Sequence, residues 1–294
     1  MTPSNEPAPL VDVATLRARL GDRALRIIDA RFDLADPGAG RRAFAASRIP
    51  GAVYAHLDDH LSEHGKPASE GRHPLPDADR FAATLARWRI TPATPVVVYD
   101  AGSGAMAAAR AWWLLRWMGH GDVRVLDGGV AAWVAESAPV MTTPGDGRAS
   151  DGLDDGARDA HADGWRPGSA PTVDANAVAA RASSVRLVDA RPRERFRGEV
   201  EPLDPRAGHI PGALNRPFAE NLVAGRFKPA AQLRDEWRAL LPPGTTPMLS
   251  CGSGVTACHN ALALVHAGWP MPVLFAASWS GWVSDPHRPA AIGD

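Results

Sequence analysis

The chain has 294 residues, is 45% hydrophobic and carries a formal net charge of −1. That length allows roughly one to three domains, and the apolar content fits packed cores rather than global disorder. Near-neutral charge argues against nucleic acid or an anionic membrane as a partner held by bulk electrostatics, and no apolar run approaches the ~20 residues of a membrane span.

The first residues, Met1-Thr2-Pro3-Ser4-Asn5-Glu6-Pro7, are polar with no apolar stretch behind them, so a secretory leader is not expected and residues 1–8 read as a disordered tail. A cytoplasmic location, where a thiol stays reduced, is expected. In the first half, Val96-Val97-Val98-Tyr99 predicts a buried strand, residues 105–118 a helix stopped by Gly119, and 123–126 the next strand. Residues 139–171, rich in Gly, Asp, Ala and Pro without apolar periodicity, read as a linker. In the second half, 248–250, 255–267 and 273–275 repeat the strand–helix–strand order, with Gly268 placed to end the helix. This alternation predicts an α/β fold with mainly parallel sheets flanked by helices.

The chain also repeats itself at the level of motifs. Arg26-Ile27-Ile28-Asp29-Ala30-Arg31 is echoed by Arg186-Leu187-Val188-Asp189-Ala190-Arg191, and Arg48-Ile49-Pro50-Gly51-Ala52 by His209-Ile210-Pro211-Gly212-Ala213. Tyr99-Asp100-Ala101-Gly102-Ser103-Gly104 answers Ser250-Cys251-Gly252-Ser253-Gly254, and Gly129-Val130-Ala131-Ala132-Trp133 answers Ser278-Trp279-Ser280-Gly281-Trp282. Four matched blocks in one order predict two copies of one domain, over residues 9–138 and 172–294.

Only the second copy has a thiol in its loop, because Asp100 stands where Cys251 does. A cysteine at a strand-to-helix turn sits where backbone N–H groups and the positive end of a helix dipole converge. That field favours the thiolate, the attacking form, and Gly252 and Gly254 let the amides turn inward. Cys251 is therefore the candidate nucleophile, with Gly252, Gly254, Val255 and Thr256 as loop contacts for a substrate. Cys258, about 10 Å further along the expected helix, is too distant for a disulfide and reads as a small core residue.

Two such halves, with Cys251-Gly252-Ser253-Gly254-Val255-Thr256-Ala257-Cys258 in the second alone, resemble the tandem-domain rhodanese family of sulfurtransferases. The resemblance runs from about Leu10 to Val283 and implies two rhodanese domains, the first non-catalytic. It implies that sulfane sulfur passes from a donor to Cys251 as a persulfide and then to a thiol or cyanide, without metal or organic cofactor. The neutral loop with its serine hydroxyl looks like the 3-mercaptopyruvate sulfurtransferase branch; thiosulfate as donor, or a persulfide carrier without turnover, are the alternatives. The resemblance further implies Arg195 as the arginine that holds the donor anion, with Arg206 as candidate for a second. Asp58 and His73 match residues that this branch is proposed to couple to the loop serine, here Ser253.

Arg191, Arg193, Arg195 and Arg197 alternate and on an extended segment would share one face; Arg191 alternatively serves as a structural ion-pair partner. Trp112, Trp113 and Trp117 lie at helical spacing and are expected in a core, as are Trp279 and Trp282. A phosphatase would need an arginine at the end of the cysteine loop to grip phosphate, and Ala257 occupies that position. A Cys–His hydrolase would have to recruit His259 from the helix after the loop.

Overall fold

The computed structural model describes residues 7–105, 107–142, 164–181 and 185–294. Most of the expected tail (1–6), the middle of the expected linker (143–163) and Met106 in the first-copy loop lie outside the described residues. The chain forms two compact units, one carrying the described residues of Met1–Leu61 and Pro76–Ser169, the other Ser62–Leu75 and Ala170–Asp294.

The first unit contains, in order, β1 (Leu10–Val11), α1 (Val13–Ala18), β2 (Arg26–Asp29), α2 (Ala39–Ala46), β3 (Ala52–Tyr54), α3 (Leu57–His60), α4 (Ala78–Arg87), β4 (Val96–Tyr99), α5 (Ala108–Trp117), β5 (Val123–Leu126) and α6 (Gly129–Ala135). Its sheet runs β1-β5-β4-β2-β3 with every pair parallel. All four residues of β4 are buried, which explains its uninterrupted apolar sequence: helices cover both faces of the sheet. Trp112 and Trp113 of α5 are fully buried in this unit.

The second unit contains α7 (Ala175–Ala179), β6 (Val185–Asp189), α8 (Arg193–Phe196), β7 (Leu214–Asn215), β8 (Leu222–Val223), β9 (Arg226–Phe227), α9 (Ala230–Leu240), β10 (Thr246–Ser250), α10 (Thr256–His266), β11 (Val273–Leu274) and α11 (Ser278–Val283). Its sheet runs β11-β10-β6-β7, again parallel. A parallel bridge from Thr172 to Leu274 supplies the position that β1 holds in the first unit. The strand order therefore repeats along with the motifs. The β8–β9 hairpin is the addition.

The expected helix ends are met by the same device in both units. Gly119 and Gly268 both have φ +85°, and each closes its helix with paired reverse bonds: Gly119 to Arg116 and His120 to Leu115, Gly268 to Val265 and Trp269 to Leu264. Two expectations need correction. The first-copy helix starts at Ala108 rather than 105. The four arginines do not share an extended face, because Arg193–Phe196 winds into one helical turn in which Phe196 and Arg197 donate to the carbonyls of Pro192 and Arg193. Of the expected linker, the part from Gly164 bonds back to the end of α5, through Arg166 to Met118 and Ser169 to Trp117.

The repeated motifs prove to be halves of one contact. Asp29 ends β2 fully buried and accepts from the Arg31 Nε (3.0 Å), the Arg31 Nη2 (2.6 Å) and the Tyr99 hydroxyl (2.7 Å). Arg31 Nη2 also donates to the Ser47 carbonyl at 2.6 Å, immediately before Arg48-Ile49-Pro50-Gly51. Asp189 and Arg191 repeat this, with Arg191 Nη2 donating at 2.7 Å to Gly208, immediately before His209-Ile210-Pro211-Gly212. Burial alone would push the Arg191 guanidinium down, but Asp189 outweighs it and the group stays charged, raised above its ordinary value.

Removing one partner from such a pair strands the other's charge. Arg31→Met is expected to lower the unfolding free energy by about 3–5 kcal/mol, read by urea denaturation followed through tryptophan fluorescence. A loss under about 1 kcal/mol, the value of a surface pair, would show that the contact is not structural.

Candidate active site

Cys251 follows β10 directly and is 2% exposed. Its sulfur accepts the Gly254 N–H at 3.1 Å, and the Ser278 hydroxyl stands 4.0 Å away. The Cys251 N–H donates to Ser278 Oγ (3.0 Å), and its carbonyl accepts from the Trp279 N–H (3.0 Å). Gly254 has φ +77°, and a Cβ there would lie 2.2 Å from the Ala276 carbonyl oxygen. No other residue type fits that turn. Ser278 itself holds φ +53°, pinned by its hydroxyl bond to the Phe275 carbonyl at 2.9 Å.

The first unit shows what this loop geometry accommodates. There the Asp100 carboxylate accepts the N–H groups of Gly102 (3.1 Å) and Gly104 (2.9 Å), and Gly104 has φ +77°, like Gly254. The flanking bonds repeat as well: Val130 donates to the Asp100 carbonyl as Trp279 does to Cys251, and Ala131 to Ala101 as Ser280 does to Gly252. A carboxylate thus occupies the position equivalent to the Cys251 sulfur. The turn thus aims main-chain N–H groups at that position, those of Gly102 and Gly104 at the carboxylate and that of Gly254 at the sulfur.

Around the loop the second unit gathers most of the expected residues. His73 Nδ1 lies 2.7 Å from Ser253 Oγ, both side chains buried. His73 belongs to the strap Ser62–Leu75, which approaches α11 at glycines: a Cβ on Gly71 would meet the Ala277 carbonyl at 2.5 Å, and one on Gly281 the Ser69 carbonyl at 2.7 Å. The Arg72 N–H donates to Ser280 Oγ at 3.1 Å and fixes the strap's register. Val255 caps α10 and Thr256 is its first residue.

Arg195 reaches Gly252, with its Nη1 3.5 Å from where a Cβ would stand. Its Nη2 is held by Glu201 Oε1 (2.6 Å) and Asp204 Oδ2 (3.4 Å). Burial pushes the Glu201 carboxyl up, but Arg195 and the N–H groups of Leu203 and Asp204 outweigh it and keep it below the usual range. Glu201 also touches Arg191 Nη1 at 3.3 Å. Arg191 is 1% exposed and lies over the Trp279 ring, so it takes the structural role. Arg206 is not brought to the loop by the contacts of its guanidinium, which donates to the carbonyls of Pro286 (3.4 Å) and Arg288 (2.9 Å). Asp58 sits half-buried on α3 of the first unit, where its N–H donates to His56 Nδ1.

Other expectations resolve simply. Cys258 is fully buried, and its thiol donates to the Gly254 carbonyl at 3.2 Å, so it packs beneath the loop as a core residue. Neither cysteine forms a disulfide. His259 is buried, stacked on Phe227 at 4.5 Å and 3.3 Å from Asn221 Nδ2, so its ring is engaged in that packing. Sequence reasoning missed Arg72, whose Nη2 is the nearest atom to the Gly252 Cβ position at 3.2 Å. Its only signal was adjacency to His73. Among the described residues no group of three or more His, Cys, Asp or Glu could hold a metal ion, and no helix is long and apolar enough to cross a membrane.

Known proteins place this geometry in a family. The rhodanese-like domain matches residues 12–136 and 174–285. The chain is 45% identical over 293 residues to the probable 3-mercaptopyruvate sulfurtransferase of Pseudomonas aeruginosa, covering 98% of this chain and 99% of that protein. It is 40% identical over 272 residues to the putative thiosulfate sulfurtransferase SseB of Mycobacterium tuberculosis, covering 91% and 90%. Among solved structures, the 3-mercaptopyruvate sulfotransferase SseA from Escherichia coli aligns with a TM-score of 0.75 at 31% identity, covering 93% of this chain and 99% of that one. With two such domains and a cysteine held by main-chain N–H in the second, the chain belongs to the rhodanese-like family.

Proposed function

We propose that the protein is a sulfurtransferase that takes sulfane sulfur from 3-mercaptopyruvate onto Cys251 and hands it to a thiol or to cyanide. The observation that carries this reading is the Cys251 cradle with the Ser253–His73 pair two residues beyond Cys251. The thiolate attacks the donor sulfur, an S–S bond forms, and the donor's C–S bond breaks with its electron pair moving to carbon. The product is the enolate of pyruvate, which needs a proton and a partner for its oxygen. Ser253 donates to that oxygen, and His73, bonded to Ser253, supplies the proton route. The acceptor thiolate or cyanide then attacks the outer sulfur and Cys251 leaves as thiolate, restored to the Gly254 N–H.

Arg195 holds the donor carboxylate, as a guanidinium fork suits it, and the N–H groups around Gly252 and Gly254 complete the wall. Val255 and Thr256 line the start of α10 beside it. Asp58 is assigned the orienting of His73, and Arg206 a share in anion binding, by family resemblance alone. Residues 172–294 are assigned the catalytic cysteine, 9–138 the copy without one, apart from the strap 62–75 that carries His73 and belongs to the second unit, and 139–171 the connection, in a cytoplasmic enzyme with small-molecule partners. Thiosulfate is the second reading, favoured by the mycobacterial relative's name; it needs the same cysteine and arginine but has no ketone for Ser253 to polarise.

That last difference separates the donors. Initial rates with 3-mercaptopyruvate are expected to exceed those with thiosulfate. Cys251→Ser is expected to abolish both at unchanged unfolding midpoint, and activity above a few per cent would remove Cys251 from the chemistry. Ser253→Ala is expected to cost about a hundredfold with 3-mercaptopyruvate while leaving the thiosulfate rate nearly unchanged. An equal loss with both donors would make Ser253 a loop-building residue instead. Cys258→Ser keeps a donor for the Gly254 carbonyl and is expected to be nearly silent in sulfur transfer; a loss comparable to that of Cys251→Ser would overturn its packing role.

A further inference from the structure

We propose that His56 is a positioning residue for Asp58: its neutral imidazole caps α3, the helix that carries Asp58, and taking up a proton undoes the cap. The functional half of this rests on the reading above in which Asp58 serves His73. His56 stands at the N-cap of α3, and its Nδ1 accepts the N–H groups of Asp58 (3.2 Å) and Asp59 (3.4 Å). On the other side of the ring, Nε2 lies 3.0 Å from the Pro37 carbonyl, which can only accept. Those partners fix the tautomer, with the proton on Nε2 and the lone pair on Nδ1. The His56 N–H in turn donates at 2.9 Å to Nδ1 of His60, the last residue of α3. Cap and helix satisfy each other's N–H groups as in a capping box, with imidazoles in place of a hydroxyl and a carboxylate.

α3 is a single turn, too short to hold itself by propagating main-chain bonds, so its order leans on this cap. The His56 ring is 9% exposed and packed against the rings of Phe32 (5.1 Å) and Tyr54 (6.2 Å). The second copy is the control. Pro217 follows Gly212 by five residues as His56 follows Gly51, and it precedes the turn Phe218–Asn221 with no side-chain cap bond. Facing His56 are Asp58, Asp59 and His60 of α3, the Tyr54 phenol of β3 and, from α4, Arg80, which donates to the Asp59 carbonyl at 3.2 Å. Asp59 Oδ2 lies 3.4 Å from Nδ1. Once protonated, Nδ1 becomes a donor and turns from the two N–H groups to that carboxylate. The carboxylate side chain is 54% exposed, so the new pair returns little, while the Asp58 and Asp59 N–H groups lose their acceptor. α3 therefore holds above the imidazole titration and loosens below it, a change that histidine makes within the physiological range.

NMR of the whole chain, labelled with 15N, tests the cap directly. At about pH 8 the His56 ring is expected to carry its proton on Nε2, and on acidification to about pH 5.5 the Asp58 and Asp59 amide signals are expected to move with the imidazole midpoint. His56→Asn keeps an acceptor suited to an N-cap but does not titrate in this range, so the same amides are expected to stay in place. A proton on Nδ1 at the alkaline end, or amides indifferent to the imidazole, would overturn the proposal.

Positioning is read from rates. The initial rate with 3-mercaptopyruvate, wild type divided by His56→Asn at each pH, cancels the titrations of Cys251 and His73 that both proteins share. That quotient is expected to fall about fivefold from the alkaline to the acidic end, the scale of one helix cap. A flat quotient would overturn the positioning role. An equal fall with thiosulfate, which has no ketone for the His73 route, would overturn it too, by reducing His56 to a purely structural cap. Should the wild-type protein transfer no sulfur from 3-mercaptopyruvate at any pH, the donor reading fails, while the amide shifts still decide the cap.

Discussion

The whole site depends on main-chain N–H groups turned toward one point at the end of a parallel strand. A sulfur in that position accepts the Gly254 N–H at 3.1 Å, and nothing about that donor can be lost without rebuilding the turn. Gly254 has φ +77° with its α-carbon against the Ala276 carbonyl, so the backbone path is dictated by a residue without Cβ. The first unit shows independently that the same turn accommodates negative charge, for there it holds a carboxylate. Asp100 takes two N–H groups in the position equivalent to Cys251. One copy therefore holds a carboxylate at this point and the other the Cys251 sulfur.

Around this cradle, charge is arranged in pairs rather than spread. Buried carboxylates cost free energy unless matched, and here Asp189, Glu201 and Asp204 are each matched by at least two contacts to arginine or main chain. The consequence for chemistry is order. Guanidinium groups fixed by buried acids lose little conformational entropy when an anion arrives. His73 lies 2.7 Å from Ser253 in the cysteine loop, and under the proposed function that pair meets the donor's ketone oxygen, which separates the demands of a keto acid from those of thiosulfate.

Much of this could be read from the sequence, for identifiable reasons. The strand Val96–Tyr99 is an uninterrupted branched and aromatic run because both its faces are buried, and the strand 123–126 matches to the residue. Gly119 and Gly268 announced helix ends because only a left-handed residue closes them in this way. Asp-Ala-Arg and Ile-Pro-Gly-Ala were visible as repeats, but their mutual contact was not, since no spacing rule connects Arg191 to Gly208. The arginines after Asp189 misled because alternation suits an extended segment, whereas Pro192 opens a turn whose local hydrogen bonds win. Arg72 was hidden for a different reason. It enters through a strap seated on Gly71 and Gly281, residues 210 positions apart in the chain, and only tertiary packing brings it beside Gly252.

The most direct measurement is the mass of Cys251 after brief exposure to 3-mercaptopyruvate without an acceptor. A gain of about 32 Da localised to the peptide bearing Cys251, absent from Cys251→Ser and discharged on adding a thiol, is the expected result. An unmodified Cys251 alongside released pyruvate would mean that sulfur leaves the donor by a route that bypasses the cradle, and the central assignment would be wrong.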